Sequence, residues 1–228
     1  MARYSGPACR VCRREGMKLF LKGARCVMAK CPIERGRPAP GMHGQRRGRK
    51  LSEYGMQLRE KQRLRRQYGM QEEQFRVFFE RAARRRGVTG EQLLQMLESR
   101  LDNIVYRMGF APSRRAARQL VVHKHVLVNG RRASSPSMQL KAGAKVQVKE
   151  RARSRELAAR SVEAAQGRQT VPWLAVDPKK LAGEYLRVPT REEIETMIEL
   201  LEHLFRRQHL CPRCGDRECQ GNAFEALA

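Results

Sequence analysis

Positive charge, and its uneven placement, limits what this chain can fold into. Residues 1–191 carry 44 Lys and Arg against 15 Asp and Glu, whereas residues 192–228 carry 4 against 8. The first part therefore stands at +29 and the last at −4, which together make the formal +25 of the 228 residues. A surplus of that size opposes compaction by self-repulsion, so a polyanionic partner is expected. Arginine supplies 37 of the 48 basic residues. Its planar fork suits phosphates and base faces better than a lipid surface, although a GC-rich genome would also raise Arg over Lys. The acidic tail is a poor candidate for contact with the same partner.

No run approaches the roughly 18 apolar residues needed to span a bilayer. Met1–Gly6 carries no apolar signal region, so an intracellular, cytoplasmic location with no membrane partner is expected. In a reducing compartment the seven Cys are expected as metal ligands or free thiols.

Four of them form two close pairs, Cys9-x2-Cys12 and Cys26-x4-Cys31. Zinc in a structural site takes four tetrahedral soft ligands, and pairs spaced two to four residues apart each supply half of one. Arg10, Arg13, Arg14, Arg25 and Lys30 lie alongside and would favour thiolates. The expected role is a structural staple for a segment poor in apolar residues. Four inert buried thiols, or an iron–sulfur cluster, are the alternatives. A weaker second set, His209, Cys211, Cys214 and Cys219, lies in the tail, where a frayed end is the bland reading.

The patterning between these clusters is mostly helical, with no long internal repeat. A helix capped by Ser52 and stopped at Gly69 carries the basic run Arg59, Lys61, Arg63, Arg65, Arg66. A second runs from about Gln71 to Arg86, with Phe75, Phe78, Phe79 and Ala82 as its core stripe and Arg84, Arg85 and Arg86 at its C-terminus. A third, opened by a Thr89/Gln92 capping box, continues through Leu94, Leu97, Leu101, Ile104, Val105 and Met108 to Gly109. Ser113 caps a short helix to about Val122, and Asn129-Gly130 signals a hairpin after the strand-like 125–128. Lys145–Val148 and Tyr185–Val188 read as strands, 151–166 and 191–208 as helices.

The densest cationic constellation is Arg114, Arg115 and Arg118 on one exposed side of the short helix, with Arg131 and Arg132 lifted beside them by the hairpin. Little acidic charge is close in sequence. That arrangement suits the phosphates of a folded RNA.

The string from Glu98-Ser99-Arg100-Leu101-Asp102-Asn103 through Ser113-Arg114-Arg115-Ala116-Ala117-Arg118 to Val128-Asn129-Gly130-Arg131 resembles the S-four RNA-binding domain. Met1-Ala2-Arg3-Tyr4-Ser5-Gly6-Pro7, the four N-terminal Cys, Pro40-Gly41-Met42-His43-Gly44, the 58–69 run and Pro172-Trp173-Leu174 extend the likeness over about residues 1–191. Together they resemble the bacterial small-subunit ribosomal protein S-four family in its zinc-binding form. The resemblance implies a structural ribosomal protein that binds the 5′ domain of 16S rRNA early in assembly. It implies contact with ribosomal proteins S five and S three, a place near the mRNA channel, an influence on decoding accuracy, and no homo-oligomer. It implies structural zinc at Cys9, Cys12, Cys26 and Cys31.

The expected fold is α+β. A discontinuous, mostly helical first domain holds a zinc-stapled segment at 1–45, an rRNA-binding part at 46–98 and a return at 161–191. The S-four domain is inserted at 99–160, and 192–228 form a divergent acidic extension where the family's usual aromatic-Tyr-Ser-Arg close is missing. The candidate RNA-contacting set is Arg3, Arg10, Arg13, Arg14, His43, Arg46, Arg47, Arg59, Lys61, Arg63, Arg65, Arg66, Arg100, Arg107, Ser113, Arg114, Arg115, Arg118, His123, Lys124, Asn129, Arg131 and Arg132.

Two rivals stand beside this reading. An RNA-modifying enzyme would need a catalytic domain for which there is no room. Glu72-Glu73 and Glu192-Glu193 are helix-face acids, and the five His do not cluster. A zinc-dependent DNA-binding regulator is allowed by the Cys spacing. Arg density on several separate elements fits a many-sided RNA better than one groove.

Overall fold

The computed structural model describes residues 4–44, 52–164 and 171–194. After α1 (Ala8–Glu15) and a short 3-10 turn at Gly23–Cys26, helices α2 (Glu53–Gln67), α3 (Glu72–Ala83) and α4 (Thr89–Glu98) build the first unit. Ser52 caps α2 by accepting the Gly55 N–H at 3.2 Å, a contact of the kind that contributes about 1 kcal/mol. Leu64, Tyr68, Phe75, Phe78, Ala82, Leu94 and Leu97 meet in one core, with Phe79 packed at its margin. The expected stripe on α3 is thus buried.

Three local expectations are corrected here. Helix α3 ends at Ala83, so Arg84, Arg85 and Arg86 follow the helix and do not form its last turn. No capping box forms at Thr89. The N-cap is Val88, without a side-chain cap, and Thr89 is already buried in the first turn. The single helix expected from 89 to 108 is broken into α4 and α5 (Leu101–Arg107). At the break, Arg100 is extended (ψ 137°). The Leu101 N–H donates to the Met138 carbonyl at 2.8 Å and the Leu140 N–H to the Ser99 carbonyl at 2.9 Å. Backbone groups paired with a distant segment cannot also serve the helical ladder.

The second unit is α5, α6 (Arg114–Val122), α7 (Ala152–Ala164) and a five-stranded antiparallel sheet. Its strands are β1 (Val126–Val128), β2 (Arg131–Arg132), β3 (Ala144–Val148), β4 (Leu174–Asp177) and β5 (Ala182–Tyr185), in the order β2-β1-β3-β5-β4. Asn129 and Gly130 both take positive φ (49° and 78°), as a two-residue primed hairpin turn requires. Strand β3 alternates strictly, with Ala144, Val146 and Val148 turned inward and Lys145 and Gln147 outward. They join Leu101, Ile104, Phe110, Val121, Trp173 and Tyr185 in a second core.

The strand expected at 185–188 lies earlier, at 182–185, and its partner β4 carries no comparable sequence signal. Residues 174–185 were expected to return to the first domain, yet they add two strands to this sheet beside β3. The return to the helical core is made by Ile194, which is buried there. Residues 191–194 form a turn, and the rest of the helix expected at 191–208 lies outside the described residues. The architecture is α+β, a helical unit followed by a unit with a small antiparallel sheet.

Candidate nucleic-acid interface and cysteine cluster

Helix α6 and the β1–β2 hairpin carry the expected cationic face, but they divide it in two. The Ser113 hydroxyl accepts the Ala116 N–H at 3.3 Å and starts the helix. At about 100° per residue, Arg114 and Arg118 lie about 40° apart on the helix, and Arg115 lies about 100° from Arg114. Arg115 is exposed, with its guanidinium over the Tyr4 ring at 5.7 Å. Arg114 and Arg118 turn inward, correcting the expectation of a single exposed side. Arg114 donates to Asn103 Oδ1 at 2.8 Å and lies between the Tyr68 and Tyr106 rings (4.9 and 4.6 Å). Arg118 lies 3.8 Å from Asp102. The acids that sequence distance hid are therefore present in space. His123 and Lys124, just beyond α6, and Asn129, Arg131 and Arg132 on the hairpin are exposed.

The inward arginines belong to a buried network around Glu98. This carboxylate accepts from Tyr68 Oη at 2.6 Å, Asn103 Nδ2 at 2.6 Å and Arg107 at 3.0 and 3.2 Å. Arg107 in turn lies 5.9 Å from the Trp173 ring. Burial raises the Glu98 carboxyl, but Arg107 and the other donors outweigh it and hold the group below its ordinary range. Burial and the Glu98 charge together push the Tyr68 phenol up. Arg100 is fully buried, forked on Asp102 at 3.0 and 2.8 Å and lying over Phe78 at 5.4 Å. Arg100 and Arg107, expected among the RNA contacts, are thus interior ties between the two cores. Glu98 had a readable signal: with Leu94, Leu97 and Leu101 it keeps helical spacing, so an acid sits in an apolar stripe.

The basic run of α2 is partly committed as well. Arg59 and Arg66 reach Glu15, the side chain of which is fully buried. Arg63 bonds the Glu15 carbonyl at 3.3 Å and pairs with Glu60. Lys61 and Arg65 pair with Glu72, Arg65 at 3.1 Å. Each of these five basic residues still keeps part of its surface in solvent. On the N-terminal segment Arg10, Arg14 and His43 are exposed, while Arg13 donates to the Pro38 carbonyl at 3.0 Å.

One exposed basic group was missed by sequence reasoning. Arg151 and Arg153, at the start of α7, face the His123/His125 pair. His125 Nδ1 shares a hydrogen bond with the buried Ser154 hydroxyl at 2.8 Å. Burial first, then His123, Arg151, Lys149 and Arg153, push the imidazole below its ordinary value, which favours the neutral ring.

Cys9, Cys12, Cys26 and Cys31 are unbridged and line one small cavity with Lys18, Arg25, Pro32 and Ile33. The Lys22 N–H donates to Cys26 Sγ at 3.3 Å, the type of contact that stabilises a thiolate. Among the described residues, however, no three His, Cys, Asp or Glu side chains are arranged to hold a metal ion. The four expected zinc ligands thus converge on one cavity without standing in ligand geometry. Burial pushes the Cys12 and Cys26 thiols up, against the lowering effect of backbone N–H contacts. Arg3, Arg46, Arg47 and the second set, His209, Cys211, Cys214 and Cys219, lie outside the described residues.

Comparison with known proteins decides the family. Residues 3–98 match the model of the ribosomal protein S4/S9 N-terminal domain, and residues 99–146 that of the S4 domain. The chain is similar to small ribosomal subunit protein uS4 of Thermus thermophilus, 54% identical over 194 residues that cover 85% of this chain and 93% of that protein. The chain belongs to the uS4 family of small ribosomal subunit proteins. The uS4 proteins of Heliobacterium modesticaldum (52% over 205 residues, 90% of this chain and 97% of that one) and Acidithiobacillus ferrooxidans (56% over 194 residues, 85% and 93%) are similar to it in the same way. As a uS4 homologue the chain is a structural constituent of the ribosome, not an enzyme, and it carries the family's RNA-binding domain. No helix among the described residues is long and apolar enough to cross a membrane.

Proposed function

We propose that this protein is a cytoplasmic, primary rRNA-binding assembly protein that holds the 5′ domain of 16S rRNA through two cationic faces. One is the surface of α6 and the hairpin: Arg115, His123, Lys124, Arg131 and Arg132, with Arg151, just before α7, and Arg153, in its first turn, beside them. The other is the N-terminal segment with the outer sides of Arg59, Lys61, Arg63, Arg65 and Arg66 on α2. The observation that carries this reading is the exposed, largely unpaired charge on the hairpin face, set on a five-stranded sheet. Phosphate contacts of this kind release counterions, so affinity for the 5′ domain should fall with salt. A log–log slope on the order of −5 or steeper is expected if eight or so phosphates are engaged. A nearly flat slope would refute it.

The finer placement follows the family likeness. The protein contacts ribosomal proteins S five and S three, lies near the mRNA channel and contributes to decoding accuracy. Crosslinking within intact subunits tests these contacts, and crosslinks confined to the opposite side of the subunit would remove them.

We also propose that zinc is held by Cys9, Cys12, Cys26 and Cys31. Their spacing, their shared cavity, the N–H donated to Cys26 and the cations lining the cavity support this. A divalent ion would replace four protons, offset thiolate repulsion and draw the sulfurs to bonding distance. Metal analysis of the purified chain should find one zinc, lost in Cys9→Ser/Cys12→Ser. Iron with visible absorbance would favour the cluster, and no metal at all would leave four plain thiols.

A further inference from the structure

The run Arg84-Arg85-Arg86 loses its expected role in the structure. Helix α3 stops at Ala83, and the Arg84 and Arg85 N–H groups close its last turn on the Glu80 and Ala82 carbonyls at 3.2 and 3.1 Å. Gly87 then takes φ +109° and turns the chain into α4. Three successive arginines therefore follow the helix end, and all three are exposed, as is Arg81 one turn back. None of the four makes an ion pair among the described residues. Of the acids close in sequence, Glu80 is taken by Arg76 at 3.1 Å, and Glu91 stands alone in the first turn of α4.

The place of this patch matters. It precedes α4, while Glu98 and the ties to the hairpin unit lie at the other end of that helix. Ten helical residues separate the two ends, about 15 Å at 1.5 Å per residue. The patch therefore lies at the end of α4 away from the Glu98 ties to the hairpin unit, and its four arginines are not among those of α2 that meet Glu15 and Glu72.

We propose that Arg81, Arg84, Arg85 and Arg86 form a further RNA-binding site that clasps the phosphodiester backbone of the small-subunit rRNA. This extends the rRNA-binding reading given above and rests on it. A protein partner would need several carboxylates to satisfy four guanidinium groups, whereas an RNA strand presents one phosphate per nucleotide, and arginine matches that geometry with a bidentate fork. Contacts to the backbone alone would make the site sequence-independent. It would fix the position of the protein on the RNA and read no bases.

The test uses the full chain and a transcript of the rRNA 5′ domain. Affinity is measured as a function of salt for the natural protein and for Arg84→Gln/Arg85→Gln/Arg86→Gln, with Arg85→Glu as a second, single-site variant. Urea midpoints should be unchanged, because the four side chains touch solvent. The triple variant should bind about tenfold or more weakly, with a log–log slope about 2 to 3 units shallower, and Arg85→Glu should weaken binding in the same direction. An unchanged slope and affinity beside a steep natural slope would overturn this site and leave the general rRNA reading intact. A flat slope for the natural protein would overturn both. Unchanged RNA affinity combined with failure to enter assembling subunits would assign the patch to a protein partner and overturn the proposal.

Discussion

Two buried carboxylates, each paired with arginine, hold different parts of this molecule. Glu98 sits where the helical core meets the sheet core, and its oxygens are met by a phenol, an amide and one guanidinium, all within 3.2 Å. Glu15 ends the cysteine-bearing helix α1, and among the described residues its carboxylate is met only by arginines of α2 that keep about a quarter of their side-chain surface in water. One Glu15 oxygen and Arg63 Nε have no hydrogen-bond partner among the described residues. The first network is closed and interior. The second is open, and its arginines face both a carboxylate and the solvent from which a phosphate would come. In an Arg-rich protein, then, the same residue type serves as internal cement or as external reach, according to whether neutral donors complete the set.

Removing Glu98 tests the closed network and should have the largest effect. Glu98→Ala leaves Arg107 buried without its counter-charge, and a loss of about 3 to 5 kcal/mol in urea unfolding is expected. A loss under about 1 kcal/mol would mean that water already screens the site.

Acid should act on the same group. The folded carboxyl is held below its ordinary range. Its contribution is therefore complete above the unfolded value near 4.3 and is lost as pH falls through the lower folded value. Natural protein should destabilise more steeply than Glu98→Gln on acidification below about pH 4, as read from thermal midpoints. Parallel curves would deny the shift.

Glu15→Gln should cost less, roughly 1 to 2 kcal/mol, because its arginines can turn to water. A cost equal to that of Glu98→Ala would erase the contrast.

Smallest of all, Arg115→Gln should shift stability by under about 0.5 kcal/mol, since the side chain is exposed. It should still weaken binding to the rRNA 5′ domain. A stability loss matching that of an inward arginine would show that α6 does not divide its arginines as described.

The legible parts were those set by local rules. Ser52 and Ser113 cap because a hydroxyl ahead of a helix meets free N–H groups. Asn129-Gly130 turns because those residues accept positive φ. Phe75, Phe78 and Ala82 are buried because helical spacing puts them on one face. The break at Ser99–Arg100 was hidden, because the 138–140 segment that pairs with it is far along the chain. Strand β4 was hidden for a similar reason: its four residues become a strand only beside β5. The fate of each arginine was also hidden, since Arg114 and Arg115 are chemically alike until Asn103, Tyr68 and Tyr106 close around one of them.

The sequence by itself determined that this chain is a basic α+β protein with the patterning of the uS4 family. Charge, caps, turns and periodic apolar residues act over a few positions and can be read in order. Only the tertiary structure decided which arginines face out, because burial and pairing depend on neighbours that folding brings together, as Tyr68 is brought to Arg114 and Glu15 to Arg66.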